Sequence, residues 1–188
     1  MDLLLVRHAR AFDRDSAAWP DDARRPLTAE GREAFIVLAR KLGRLDLDVE
    51  LVESSNFVRA WQTAMILCEE TRWPKPLRHE RLEGASGEES IESLVSALQG
   101  MLALNTVVWV GHEPMLSRLA ARLLTGRTDG AAIEFKKGAV VALRLHESGK
   151  TLKADLLWML TPRLVARLQK SKAAKRQSKA AKRPGKID

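Results

Sequence analysis

Short, β-rich apolar runs alternate with segments of helical periodicity along the first two thirds of this 188-residue sequence. Three such runs stand at 3–6 (LLLV), 49–52 (VELV) and 106–110 (TVVWV), and apolar residues at helical spacing follow each of them. Strands that alternate with helices build a mostly parallel sheet with helices on both faces. The sequence therefore predicts an α/β fold, a three-layer sandwich.

Capping residues place the ends of the predicted helices. Thr28 can cap a first helix, which Gly43 is expected to end. Ser86 and Glu89 have the spacing of a capping box in front of the helix that holds Ile91. Pro114 suits the first position of a further helix.

The last third of the sequence changes character. Residues 139–145 and 152–160 read as two strands, and the turn residues Glu147–Lys150 between them predict a hairpin. We expect the hairpin to extend the sheet as antiparallel strands, so that the sheet becomes mixed.

The net charge of +8 is concentrated in the tail. Residues 169–188 hold eight Lys or Arg and one Asp, which is +7 and leaves +1 for residues 1–168. A nearly neutral body does not indicate a nucleic-acid-binding fold. The tail repeats SKAAKRQ and SKAAKRP from Ser171 without a large apolar residue, so we predict a domain over 1–168 and a basic, mostly disordered tail over 169–188. Weak polyanion binding is the function that such a tail could have.

Cysteine content and hydropathy bear on the compartment. Cys68 is the single cysteine, so it cannot form an internal disulfide or supply a cysteine-based metal site, and its position predicts a core residue. No stretch approaches the ~18 consecutive apolar residues of a membrane span, and the first ten residues lack the pattern of a signal peptide. We expect a cytoplasmic protein that does not interact with membranes.

Polar residues gather directly after the predicted strands. Arg7 and His8 follow the first strand, Arg59 lies in the first turn of the helix after the second, and His112 follows the strand at 106–110. Ligands of open α/β sheets bind beyond the carboxyl ends of the strands, so these four side chains are candidates for one pocket. Forked guanidiniums and the helix start at Asn56–Arg59 both favour an anion.

Two alternatives compete with the anion pocket. A divalent metal held by His8 and His112 is disfavoured, because the neighbouring arginines would repel the cation, so no metal or other cofactor is expected. Taken alone, His8 could also be a histidine that only closes a strand end. Within an anion site it could be nucleophile, general acid or base, or a charge, and its arginine neighbours favour the neutral form that a nucleophile requires.

Four motifs in order carry a family resemblance. They are Leu3–Ala9, an apolar strand that ends in Arg-His-Ala; Arg25-Pro26-Leu27-Thr28 with Gly31; Ser55, Arg59, Ala60, Gln62 and Thr63; and Gly111, His112 and Pro114. Over residues 1–160 the chain resembles the histidine phosphatase superfamily, and within it the SixA-type phosphohistidine phosphatases. The resemblance implies a phosphoglycerate-mutase-like fold. Because only 52 residues separate Arg59 from His112, it also implies a form without a large cap insertion.

The resemblance assigns roles to the candidate residues. His8 would attack phosphorus and become phosphorylated, and Arg7, Arg59 and His112 would hold the phosphoryl oxygens. Arg25 is implied as a further phosphate contact, the alternative being a solvated charge beside Arg24. Charge placement would then supply most of the catalysis.

Further substrate contacts are expected from Ser55 and Asn56, at the start of the helix that carries Arg59. Glu83 and Glu113 are candidates for a general acid, because relatives carry acids at similar places. The alternatives are a loop carboxylate for Glu83 and a favourable charge at a helix N-terminus for Glu113.

The leaving group decides whether an acid is needed. Phosphate esters leave as alkoxides of high pKa, whereas phosphohistidine leaves as an imidazole, whose conjugate acid has a pKa near ~6.5. An open site that lacks an acid therefore favours a phosphohistidine carrier protein as substrate. The alternatives are a small-molecule phosphomonoesterase of the same superfamily and a catalytically idle phosphate-binding module with a nucleic-acid-binding tail.

Overall fold

A computed structural model describes the backbone of residues 1–181 and the side chains of residues 1–171. Within this described part of the chain, six strands form one sheet in the order β3-β2-β4-β1-β5-β6. Their bounds are β1 Asp2–Arg7, β2 Val49–Ser54, β3 Leu77–Arg78, β4 Thr106–Gly111, β5 Val140–Ser148 and β6 Thr151–Leu160. β1 to β4 run parallel, and the β5–β6 hairpin adds two antiparallel strands beside β1. The predicted mixed sheet is confirmed.

Helices cover both faces of this sheet. Their bounds are α1 Ala29–Leu42, α2 Val58–Thr71, α3 Glu88–Gln99, α4 Met115–Thr125 and α5 Pro162–Ala181. α1, α2 and the start of α5 pack on one face, and α3 and α4 pack on the other. Among residues 1–181, no helix combines the length and the hydropathy that a membrane span requires.

The side chains of the central strands point alternately to the two faces of the sheet, so the hydrophobic core has two parts. Leu4 and Val6 of β1 face the α1–α2 layer, and Leu3 and Leu5 face the α3–α4 layer, because successive strand residues point to opposite faces. Every residue of β4 is buried. Cys68 lies in the α1–α2 core as predicted, and burial raises the pKa of its thiol to about 12. The three-layer sandwich is confirmed.

The predicted ends of α1 match the structure, whereas the predicted starts of α3 and α4 do not. Thr28 Oγ1 accepts a hydrogen bond from Gly31 N at 3.0 Å, and Gly43 ends α1, as predicted. The predicted capping box of Ser86 and Glu89 is wrong. The N-cap is Gly87, one residue after Ser86, so the serine hydroxyl stands outside the turn that it was expected to cap. Pro114 precedes the first residue of α4 instead of occupying it.

The structure also differs from the prediction for the tail. Disorder was predicted from residue 169, but α5 continues to Ala181. Its first turns are anchored by Val165, which is buried against the α1–α2 core, and a helix once nucleated extends readily through Ala, Lys and Arg. Residues 182–188 of the predicted tail lie outside the described residues.

Candidate active site

Direct pairing of β1 with β4 brings the two histidines together. Arg7 is in register with Gly111, and His8 N donates to Gly111 O at 3.1 Å. The rings of His8 and His112, 104 residues apart in sequence, therefore lie side by side with centroids 5.2 Å apart. Both side chains stand at the carboxyl edge of the sheet, where the sequence placed them.

His8 is held in one tautomer and kept neutral. Its Nδ1 lies 2.7 Å from Ala9 O, and because a carbonyl only accepts, Nδ1 carries the proton and Nε2 keeps a lone pair. Burial, followed by the charges of His112, Arg59 and Arg7, lowers the pKa of His8 to about 2. The expected neutral form is thus favoured, with burial as a larger cause than the arginines.

His112 is oriented from behind by Ser55. His112 Nε2 lies 2.8 Å from Ser55 Oγ, and the same hydroxyl oxygen accepts a hydrogen bond from Phe57 N. Within the described residues, Nδ1 of His112 is buried and has no hydrogen-bond partner, so this nitrogen can serve a ligand. Burial, followed by the charge of Arg59, lowers the pKa of His112 to about 3.

Arg7 and Arg59 are both fixed by backbone carbonyls. Arg7 Nη1 donates to Phe135 O, and Arg59 Nη1 donates to Asp22 O at 2.8 Å. In the described part of the chain, Nε of each arginine is buried without a partner. Such nitrogens are suited to the oxygens of an anion, because an unpaired buried donor is costly.

Arg25 belongs to the same cluster. It is 5% exposed, so the alternative of a solvated charge is wrong. Arg25 Nε donates to Asp22 Oδ1 at 2.8 Å, and its Nη1 donates to Phe12 O. The hydrogen bond from Arg25 is the main cause that lowers the pKa of the Asp22 carboxyl, and Arg59 adds to it.

The cluster lines a pocket of about 280 Å³. The lining residues are Arg7, His8, Phe12, Asp13, Arg14, Arg25, Arg59, His112, Glu113 and Lys137. Five of them are cationic and two are acidic, so the pocket is electropositive. A small electropositive pocket with forked donors suits a tetrahedral oxyanion.

The other candidate residues fall into different places. Asn56 Nδ2 donates to Glu83 Oε1 at 2.6 Å, and neither side chain lines the pocket. Ser55 lies behind His112. Glu113 lines the pocket, and burial raises the pKa of its carboxyl. Glu113 Oε1 also accepts a hydrogen bond from Ser117 N, a backbone donor in the first turn of α4.

No group of three or more His, Cys, Asp or Glu side chains within the described residues is arranged to hold a metal ion.

The connection between α2 and β4 contains β3, a 3₁₀ turn at Glu80–Glu83 and α3, without a cap domain.

Sequence reasoning missed Asp22, which holds two arginines of the pocket, and several of the lining residues. Asp22 lies in a polar stretch of the sequence without strand or helix periodicity, yet its carboxylate joins Arg25 to Arg59. The sequence offered one signal for Asp22, because an acidic residue stands three positions before Arg25, a candidate phosphate contact. In the structure, Asp22 begins a 3₁₀ turn whose C-cap is Arg25. Phe12 and Lys137 gave no signal, because a loop and a distant turn bring them to the pocket.

Several solved structures with the same architecture are phosphatases. The protein histidine phosphatase SixA complexed with tungstate superposes with a TM-score of 0.75 at 24% identity, over 88% of this chain and 99% of that one. The alpha-ribazole phosphatase from Shigella flexneri gives 0.65 at 20%, over 84% and 96%. A mycobacterial glucosyl-3-phosphoglycerate phosphatase complexed with VO3 gives 0.65 at 17%, over 84% and 98%. The fold is that of the phosphoglycerate-mutase-like proteins.

Sequence comparison defines the family. The model of the histidine phosphatase superfamily (branch 1) matches residues 3–83. An uncharacterized protein of Picosynechococcus sp. (strain PCC 7002) is 32% identical over 146 residues, which are 77% of this chain and 85% of that protein. The chain belongs to the histidine phosphatase superfamily, and its fold and family indicate a phosphatase.

Proposed function

We propose that this phosphatase hydrolyses phosphohistidine in a protein substrate through a covalent phosphohistidine intermediate on His8. One observation carries the proposal. The neutral ring of His8, with Nδ1–H bound to Ala9 O, offers the lone pair of Nε2 beside an arginine-rich pocket.

Two displacements at phosphorus complete the reaction. In the first, Nε2 of His8 bonds to phosphorus while the bond to the substrate imidazole breaks, and that imidazole keeps the electron pair. In the second, water bonds to phosphorus, the bond to Nε2 breaks, and inorganic phosphate leaves as the proton of water passes to solvent. His8 is then neutral again.

The transition state of each step spreads charge over three phosphoryl oxygens. Arg7, Arg25 and Arg59 supply guanidinium donors that buried carbonyls and Asp22 already hold in place. His112 adds Nδ1, with Ser55 holding the opposite ring nitrogen. Donors fixed before the reaction stabilise developing charge without reorganisation.

The choice of phosphohistidine rests on the leaving group and on access. An imidazole leaves with little protonation, and a site without a cap domain can accept a histidine on a folded partner. The SixA neighbour, a protein histidine phosphatase that binds tungstate, supports the same substrate class. A phosphohistidine carrier protein is therefore the proposed partner, in the cytoplasm.

A small-molecule phosphomonoesterase is the second candidate, and Glu113 favours it. The carboxyl of Glu113 lines the pocket with a raised pKa, so it could protonate an alkoxide leaving group. Two of the neighbours are phosphatases of alpha-ribazole and of glucosyl-3-phosphoglycerate.

Relative turnover separates the candidates. We expect kcat/KM for a histidine-phosphorylated carrier protein to exceed that for sugar phosphates by about 100-fold or more. Faster turnover of a sugar phosphate would favour the phosphomonoesterase. A protein that binds phosphate but gives no labelled phosphoenzyme after rapid quenching would be an idle binding module.

A further inference from the structure

A second groove adjoins the active-site pocket, with a volume of about 410 Å³. It is lined by Ala9, Arg10, Glu30, Gly31, Ala34, Lys136, Lys137, Gly138, Thr161, Pro162 and Arg163, and we call it the α1–α5 groove. Lys137 lines both this groove and the active-site pocket, and Ala9 follows His8 directly. The groove and the active-site pocket are therefore adjacent cavities.

The floor of the groove is apolar and its rim is basic. Ala9, Ala34 and Pro162 contribute the floor together with two glycines, and four cationic side chains surround it against the single carboxylate of Glu30. Lys136 is paired with Glu134. Arg10, Lys137 and Arg163 form no ion pair with any described residue, and all three are exposed. Their charge is thus available to a ligand.

The walls of the groove are fixed to the nucleophile. Gly138 N donates to His8 O at 3.0 Å, and Arg7 N donates to Ala139 O, so one wall is hydrogen-bonded to the catalytic segment. The opposite wall packs too closely for a side chain at Gly31, where an added Cβ would lie 2.0 Å from Arg10 O. A ligand in this preformed groove would therefore be held at a constant position relative to His8.

We propose that the α1–α5 groove binds an acidic segment of the phosphoprotein substrate, next to its phosphohistidine. This inference rests on the proposed function. Carboxylates of the segment would meet Arg10, Lys137 and Arg163, and an apolar residue between them would cover the alanine and proline floor. A small phosphorylated substrate has no such segment and gains nothing from the groove.

Two histidine-phosphorylated peptides test the proposal. They share the phosphohistidine and differ in four flanking residues on each side, which are glutamates in one peptide and glutamines in the other. We expect the wild type to show about tenfold higher kcat/KM for the glutamate peptide, and the preference to shrink as salt rises. Phosphoramidate, which contains a P–N bond and no peptide, is the third substrate.

A double variant locates the effect. Arg10→Gln with Arg163→Glu should bring the two peptides to nearly equal turnover and leave turnover of phosphoramidate within about twofold of the wild type. The matched control is Lys75→Gln with Lys153→Glu. It removes the same charge from exposed positions that line neither the α1–α5 groove nor the active-site pocket, and it should keep the glutamate preference.

The outcomes distinguish the two proposals. Equal turnover of both peptides by the wild type, or a glutamate preference that survives in R10Q/R163E or vanishes in the control, would overturn the docking groove while phosphohistidine hydrolysis stands. If neither peptide is cleaved while a sugar phosphate is, the proposed function fails and the docking proposal fails with it.

Discussion

Asp22 and Arg59 are joined at two points. Arg59 Nη1 donates to the backbone oxygen of Asp22 at 2.8 Å, and Arg59 Nη2 lies 3.1 Å from its carboxylate oxygen Oδ2. The other carboxylate oxygen accepts from Arg25 Nε. One acidic side chain from a 3₁₀ turn thus sets the spacing of two guanidiniums in the electropositive pocket.

Removal of this carboxylate should impair activity through the arginines that it positions. We expect Asp22→Ala to lower kcat/KM by about 100-fold, because a guanidinium displaced by about an ångström no longer meets the phosphoryl oxygens. Tungstate affinity should fall in parallel, as measured by calorimetry. Asp21→Ala is the matched control, since Asp21 caps the same turn without touching Arg25 or Arg59, and a similar loss there would contradict the positioning role.

His8 is expected to carry the phosphoryl group. Rapid quenching with labelled substrate should trap phosphate that is labile to acid and stable to base, and His8→Ala should abolish both label and turnover while the fold survives. Urea unfolding checks the fold of the variant. His79→Gln, whose ring contacts Glu53 instead of the pocket, should keep the label. Near-normal turnover by His8→Ala would overturn the mechanism.

The two buried histidines should make the protein sensitive to acid. Their folded-state pKa values are lowered to about 2 and about 3, whereas a histidine in the unfolded chain titrates near ~6.5. Below that pH the unfolded state binds protons that the folded state does not, so stability falls as pH falls. From pH 7 to pH 5 linkage gives a loss of about 2 kcal/mol per histidine.

Urea unfolding at the two pH values, in buffers without phosphate, measures this loss. We expect His112→Gln to remove about half of the histidine contribution. An identical pH dependence in wild type and variant would show that His112 is not held neutral by the fold.

Glu113 offers a test that depends on the leaving group. Burial raises the pKa of its carboxyl, so the protonated acid persists to higher pH than usual. If the acid protonates an alkoxide, Glu113→Gln should lower kcat for a sugar phosphate by about 100-fold and remove the loss of rate at alkaline pH. Turnover of phosphohistidine should change less than about threefold, because its imidazole needs little protonation. An equal loss for both substrates would point to a structural role.

Activity should persist after exhaustive chelation. The pocket holds five cationic side chains, which repel a divalent ion and themselves supply the positive charge that a metal would provide. Turnover after dialysis against a chelator, with and without single divalent ions, is the measurement. Restoration of an inactive chelated enzyme by one specific ion would contradict the prediction.

The positions of the strand-end residues were predictable from the sequence, and those of the loop residues were not. His8, Arg7 and His112 follow apolar runs, so the order of a parallel sheet places them at one edge. Asp22 depends on how the polar loop at 10–27 folds back over the sheet, with a bridge between Ala11 and Leu27. No local periodicity encodes that path, and the acidic residue was therefore missed.

Two further local signals did not predict the structure. Ser86 is a residue type that caps helices, yet the N-cap of α3 is Gly87, one residue later, and no side chain caps the helix there. Residues 169–181 hold no apolar side chain larger than alanine, but Val165 is anchored in the core and α5 extends from there. For α5 the deciding contact is that of Val165, which lies outside the tail segment.

The position of β1 in the middle of the sheet has a consequence for biogenesis. Leu4 pairs with Val108 on one side and with Ala142 on the other, so both neighbours of this strand are synthesised long after it. Pairings of such high sequence separation form slowly, because the entropy of closing long loops must be offset first. A nascent chain that stops before the hairpin carries His8 without the completed sheet around it. We therefore expect phosphatase activity only after synthesis has passed β5 and both neighbours of β1 have paired with it.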